Sequence, residues 1–110
     1  DMLNARAFAD YSDLTGTELR RMTRRREVLA LQHSTIGARY PSWQFDNGQI
    51  IPGVSLLHQE FGNDSWMVYD FLTAGDRNVG EHWAIIALRA GDLSTVLAEA
   101  RLRPPQSRWE

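Results

Sequence analysis

Five of the twelve basic residues of this chain lie within residues 20–26, and every basic residue is an arginine. The guanidinium group is planar and presents a fixed fork of N–H donors, which pairs bidentately with a phosphate or with the edge of guanine. Because a charge run is often only a solvated face, the arginines alone leave two interpretations open, namely DNA contact and a plain basic surface. The elements that hold the arginines favour DNA contact.

The residues before the arginine run are typical of a helix-turn-helix unit. Thr15 and Glu18 have capping-box spacing, in which each side chain satisfies a free amide of the other residue, so a helix is expected to begin at Thr15. Ala9, Asp13 and Leu19 supply the small, turn and apolar residues that let two helices cross closely about a tight turn. The second helix is expected to end near residue 26 or 27 and to be the recognition helix. Its candidate DNA contacts are Thr17, Arg20, Arg21, Arg24 and Arg25.

The first helix of this unit is expected to start at Leu3. Leu3, Ala7, Phe8 and Tyr11 fall on one side of a helix, which predicts a first short helix. A single unit of this size makes few phosphate contacts, so the DNA interpretation also requires a homodimer or a larger complex.

Residues 28–50 are expected to form a β-hairpin connector. The apolar run 28–32 is too short for a helix and predicts a strand, with residues 33–37 as its turn. Residues 39–46 carry Tyr40, Trp43 and Phe45 in alternation and predict a second strand, which a turn at Asn47–Gly48 closes.

Four helices are expected in residues 51–110, and a short extended tail follows them from residue 103. Their start signals are Pro52, Asp64, Glu81 and Asp92, each followed by apolar residues at helical spacing. The predicted fold is therefore mainly α with a small hairpin (α+β), organised as 1–27, 28–50 and 51–110. Of the tryptophans, Trp43 and Trp66 are expected in the core, whereas Trp83 and Trp109 suit either packing or a partner interface.

The residues of common active sites are missing. The chain has no cysteine, and His33, His58 and His82 are far apart with no spaced carboxylates beside them, so neither a metal site nor a cofactor is expected. His58 is expected to be a half-buried structural residue. Ser34 and Ser55 lack the sequence context of a nucleophile, and there is no glycine-rich phosphate loop. We therefore do not expect an enzyme.

Composition places the chain among ordinary globular domains. The 110 residues suffice for one domain, 43% of them are hydrophobic, and the formal net charge is −2, so no overall field favours nucleic acid or membrane. The longest apolar run, residues 83–88, is too short to cross a bilayer, and no signal-peptide pattern opens the sequence. A cytoplasmic protein without membrane contact is the expectation.

The region from about residue 28 to residue 100 resembles the antitoxins with the Xre/MbcA/ParS toxin-binding domain, which are the partners of RES-type toxins. The segments that carry the resemblance are VLAL, RYPSWQFDNGQIIPGV, FLTAG and ALRAGDLSTVLAEA. The chain departs from the family pattern at residues 79–88, where Glu81 stands in place of a glycine and Trp83-Ala84 in place of a capping Ser/Thr and a proline.

The resemblance implies an N-terminal DNA-binding region that represses its own operon and C-terminal helices that bind and block a toxin. On this interpretation the protein is a non-enzymatic, dimeric antitoxin-like regulator. The alternative is an orphan protein-interaction module on the same fold, without DNA binding. The candidate partner-binding residues are Glu81, His82, Trp83, Arg101, Arg103 and Trp109.

Overall fold

The structure is a computed structural model that describes residues 2–74 and 82–102. Within these residues the fold is mainly α with small antiparallel sheets, as the sequence predicts. The strands are β1 (Met2–Leu3), β2 (Leu31–His33), β3 (Gly37–Pro41), β4 (Phe45–Asp46) and β5 (Gln49–Ile50). The helices are α1 (Ala5–Ser12), α2 (Gly16–Arg24), α3 (Val54–Glu60), α4 (Ser65–Thr73), α5 (Trp83–Arg89) and α6 (Leu93–Leu102).

The front half of the molecule is α1 and α2 packed on a three-stranded sheet of order β1-β3-β2. Central strand β3 pairs antiparallel with both neighbours, so that Tyr40 lies opposite Leu3 and Arg39 lies opposite Leu31. Phe8 of α1 stacks on Tyr40 with ring centroids 5.2 Å apart, and Leu19 of α2 is buried in the same cluster. This small core fixes both helices to the sheet.

The rear half is built from α3 to α6, which share a second and larger apolar cluster. Each helix contributes buried side chains to it, among them Leu57, Leu72, Leu88 and Val96. Partly buried aromatic side chains, including Trp43, pack against its surface.

Residues 28–31 join the two clusters by pointing alternate side chains to opposite sides. Val28 and Ala30 pack in the front cluster, whereas Leu29 and Leu31 are both fully buried in the rear cluster. Successive side chains of an extended chain point to opposite faces, so one short segment serves both cores.

The buried side chain of Gln44 satisfies the backbone of this joining segment. Its Oε1 accepts a hydrogen bond of 2.7 Å from the Leu29 N–H, and its Nε2 donates one of 2.8 Å to the Leu29 carbonyl. The carbonyl of Gln44 itself accepts from the Ile51 N–H at 2.8 Å. A side-chain amide therefore takes the place of a neighbouring strand at Leu29, with both of its polar atoms paired.

This arrangement corrects two of the strand predictions. Residues 39–46 are not one strand, because β3 ends at Pro41 and a 3-10 turn over Ser42–Gln44 precedes the short β4. The turn is what brings the Gln44 amide to Leu29. The predicted strand at 28–32 is β2 at Leu31–His33, since the Leu29 backbone pairs with the Gln44 side chain instead of a strand.

The prediction that the first helix starts at Leu3 is wrong. Leu3 belongs to β1, and α1 begins after Asn4, whose Oδ1 accepts from the Ala7 N–H at 2.8 Å. Tyr11, which follows Phe8 on the same side of α1, is 53% exposed, and its ring packs edge-on against Phe45 with centroids 5.6 Å apart.

The remaining start and stop signals lie close to their predicted places. Asn47 and Gly48 both have positive φ in the β4–β5 turn, and Asp64 caps α4 by accepting from the Met67 N–H at 3.2 Å. The tail from residue 103 and Glu81 lie outside the described residues. No helix in the described part of the chain is both long enough and apolar enough to cross a membrane.

His58 lies inside the rear half, where it ties α3 to the start of α4. It is 1% exposed, its Nδ1 lies 2.8 Å from the Val54 carbonyl, and its Nε2 lies 2.9 Å from the Ser65 Oγ. Because a carbonyl only accepts, Nδ1 carries the proton and the neutral ring accepts from Ser65. Burial lowers the pKa of His58, as the nearby charge of Arg26 also does. The predicted structural role agrees with these contacts, whereas the predicted half-buried position is wrong, because the ring is enclosed between α3 and α4.

Replacing Gln44 with Ala should destabilise the protein by about 2–4 kcal/mol, because it leaves the buried N–H and carbonyl of Leu29 without partners. Urea unfolding followed by circular dichroism measures the loss. The matched control is Gln49→Ala on the exposed β5, for which a change within about 0.5 kcal/mol is expected. Equal losses for the two variants would contradict the role given to Gln44.

The free energy of unfolding should decrease as the pH is lowered from about 6.5, the pKa of a free histidine. The folded-state pKa of His58 lies below that value, so as the pH falls the unfolded chain binds the proton before the folded chain does. The stability that the neutral ring contributes above about pH 6.5 is therefore lost as the pH falls toward the folded-state pKa. Urea titrations at several pH values measure this slope. His58→Gln should flatten it, and His82→Gln, which removes an exposed histidine, is the matched control.

Candidate nucleic-acid interface

The start of α2 is fixed by the capping box that the sequence predicts. The Glu18 N–H donates to the Thr15 Oγ1 at 3.0 Å, and the Thr15 N–H donates to a Glu18 carboxylate oxygen at 2.9 Å. These bonds to Thr15, helped by the charge of Arg21, lower the pKa of Glu18 and keep it ionised. Its charge also suits the positive end of the helix dipole.

The buried side of α2 leaves its arginines free. Leu19 is 2% exposed, and Met22 and Thr23 are partly buried next to it. The opposite side of the helix carries Thr17, Arg21 and Arg24, and all of them are exposed. These three side chains therefore form a solvent-facing row along α2, in which neighbours are about one helical turn apart.

None of the arginines at 20–26 forms an ion pair within the described residues. The ion pairs there are Arg89 with Asp46 and Arg101 with Glu60, both elsewhere in the molecule. Arg20 donates to the Thr17 Oγ1 at 3.2 Å, and within the described residues the other four arginines of the run have no side-chain hydrogen bond. The run is thus a local excess of positive charge that Glu18 offsets in part, although the chain as a whole is slightly acidic.

The β2–β3 hairpin lies beside α2 and is held to it by Tyr40. The Tyr40 hydroxyl lies 3.1 Å from the Thr23 Oγ1, which donates to the Leu19 carbonyl at 2.8 Å. Phe8 stacks on the same tyrosine ring, so the Tyr40 side chain joins β3 to both α1 and α2. The helix cannot rotate against the hairpin without breaking these contacts.

The hairpin ends in an exposed three-residue tip at residues 34–36. Arg39 Nη1 donates to the Ile36 carbonyl at 2.7 Å and to the Ala38 carbonyl at 3.0 Å, which holds the tip in shape. Ile36 is 53% exposed there. On the other side of the hairpin, Trp66 of α4 donates from Nε1 to the Gln32 carbonyl at 3.3 Å and packs edge-on against His33.

The predicted DNA contacts come together as one surface. Thr17, Arg20, Arg21 and Arg24 are exposed along α2, and Arg25 is the exposed residue that ends it. Sequence reasoning missed Arg26, which follows directly, and the exposed tip of the β2–β3 hairpin. The predicted turn at residues 33–37 was the available signal for the tip.

The predicted partner-binding residues come together only in part. His82 is exposed with positive φ, and Trp83 begins α5 partly buried, its ring edge-on to Phe71 at 6.0 Å. Arg101 lies on α6 and donates to Glu60 of α3 at 2.8 Å. Glu81, Arg103 and Trp109 lie outside the described residues.

Two further features limit the chemistry of this surface. No three His, Cys, Asp or Glu side chains of residues 2–74 and 82–102 are grouped so as to hold a metal ion. The polar side chains buried in the same part of the chain all have hydrogen-bond partners. What the described surface offers is charge and shape.

The sequence matches no family model, and no curated protein matches it. Among solved structures, the NMR structure of Rv2175c is similar, with a TM-score of 0.74 over 92% of this chain and 79% of that one. The two sequences are 16% identical over the match. The likeness shows a shared fold.

Proposed function

We propose that this protein is a DNA-binding regulator that inserts α2 into the major groove. The observation that carries the proposal is the row of exposed arginines on α2, none of which forms an ion pair with an acidic residue of the described chain. An α-helix fits the major groove, and arginine is the side chain that pairs most often with guanine and with phosphate. In this proposal, α1, the turn at Asp13 and α2 form a helix-turn-helix.

The geometry of the turn supports this role. Asp13 adopts the left-handed conformation at the end of α1, and the Leu14 N–H donates to the Ala9 carbonyl at 2.9 Å. α2 then starts three residues later, capped by Thr15. The β2–β3 hairpin stands next to α2 as a wing, with its tip free to reach the DNA backbone.

Two copies of the chain are needed for firm binding. One helix offers only a handful of phosphate contacts, and each contact adds a modest electrostatic term that salt weakens. We propose a homodimer that places two α2 helices on neighbouring turns of the duplex.

Arg24→Ala should weaken binding to the DNA upstream of its own coding region, because it removes a charge from the C-terminal end of the exposed row. At about 100 mM salt we expect a loss of roughly tenfold or more, with the salt dependence of the affinity reduced by about one phosphate contact. Gel-shift titrations at several salt concentrations measure both quantities.

Arg101→Ala is the matched control, since it removes the same charge from an exposed ion pair on α6. Its binding should equal that of the unmodified chain. A wild-type protein that fails to bind at low salt would favour the alternative, an interaction module without DNA binding.

A second proposed function is the binding of a protein partner by the rear helices, with a RES-type toxin as the candidate that the sequence resemblance indicates. The observation in its favour is the exposure of large aliphatic side chains on three of these helices. Leu56 on α3 is 39% exposed, Ile86 on α5 is 60% exposed, and Leu102 at the end of α6 is 78% exposed. Exposed apolar side chains of this kind are common at protein interfaces.

Ile86→Glu should abolish co-purification with a RES-type toxin encoded beside this chain, because it places a charge in the proposed interface. The fold should survive, since Ile86 makes little contact with the core. Ile36→Glu at the hairpin tip, 53% exposed, is the matched control and should leave the complex intact. Capture of the toxin by both variants alike would contradict this surface.

A further inference from the structure

Four helices of the described chain end in the same backbone motif, and one of them ends with an unexpected residue. In this motif the N–H of the second residue past the helix end bonds back five residues, and the residue before it adopts a left-handed conformation. The closing bonds are Leu14 to Ala9, Glu27 to Met22, Asn63 to His58 and Asp92 to Ala87, at 2.9, 2.9, 2.6 and 2.8 Å.

Glycine is the usual residue at the left-handed position, because it has no Cβ to collide with the backbone. The chain follows this rule at α3 and α5, where Gly62 and Gly91 have φ of 64° and 84°. It uses Asp13 at α1, and aspartate tolerates this conformation better than most residues do. At α2 the position is held by Arg26, with φ of 61°.

Arg26 therefore occupies a strained backbone conformation, which the chain avoids at the ends of α3 and α5 by placing glycine there. Its backbone is well bonded, with its own N–H donating to the Thr23 carbonyl at 3.1 Å, so the strain is imposed by the helix end. Strain of this kind persists where the side chain serves a purpose that glycine cannot serve.

The Arg26 side chain is also available. Its guanidinium forms no hydrogen bond or ion pair with the described residues, unlike those of Arg39, Arg89 and Arg101. It borders an open cleft of about 270 Å³ that is also lined by Gln32, His58 and Asp64. None of these three side chains forms a hydrogen bond or ion pair with the Arg26 guanidinium.

We infer that Arg26 is a phosphate-contacting residue of the DNA surface, placed past the end of α2 by its left-handed conformation. This inference rests on the proposed DNA binding. Arg26 continues the run of Arg24 and Arg25, yet it lies off the row of Thr17, Arg21 and Arg24 that faces a groove. A phosphate of the flanking backbone, and not a base edge, is the group that a guanidinium at this place would meet.

Arg26→Gly tests the inference because its two expected effects have opposite signs. Removal of the strain should raise the Tm by about 2–6 °C. Removal of the charge should weaken binding of the full chain to a mixed-sequence 24-bp duplex about 3- to 10-fold at ~100 mM salt, and should lower the salt slope by about one. Thermal unfolding and fluorescence anisotropy between ~50 and ~200 mM salt measure the two effects.

Two matched variants separate the effects. Asp13→Gly makes the same backbone change at the end of α1 and should raise the Tm without weakening DNA binding. Arg26→Lys keeps both the charge and the strain, so its Tm and salt slope should stay close to those of the unmodified chain.

Each remaining outcome decides against the inference. If Arg26→Gly leaves the salt slope unchanged under conditions in which Arg24→Ala lowers it, the role of Arg26 is overturned. The proposed function would still stand. A lowered Tm would overturn the argument from strain. No binding by the unmodified chain at low salt would remove both the inference and the proposed function.

Discussion

The pairing of the Gln44 amide with the backbone of Leu29 is the contact on which the rest of the structure depends. Residues 28–31 supply side chains to two cores at once, so their backbone lies between the cores with no strand available on either side at Leu29. A buried N–H and carbonyl without partners would cost several kcal/mol together. Gln44 supplies both partners, and it does so only because the chain leaves β3 at Pro41 and turns.

Two further contacts join neighbouring parts of the structure. Tyr40 ties α2 to β3 from within the front core, and Trp66 of α4 reaches across to the β2 backbone at Gln32. Trp66 thus joins α4 to the hairpin through a ring contact with His33 and a hydrogen bond to Gln32.

The two proposed surfaces differ in chemistry. The run at residues 20–26 carries five arginines beside the acidic Glu18 of α2, whereas the rear helices expose aliphatic side chains and pair their described arginines with acids. With a net charge of −2, attraction to DNA under the proposed function would have to come from this uneven distribution and not from the total. The strained arginine at the end of α2 fits the same picture, since it adds one more charge at a conformational cost.

Local sequence signals by themselves determined much of this protein. The capping box at Thr15, the Asn47–Gly48 turn and the Asp64 cap are formed by residues a few positions apart, so their patterns are legible without a fold. The exposed arginines of α2 follow from that helix and its period. Only the tertiary structure decided the break after Pro41, the strand at Leu3 and the exposure of Tyr11, because each depends on a partner far along the chain. The left-handed Arg26 belongs with these, since no local rule places an arginine where glycine is preferred.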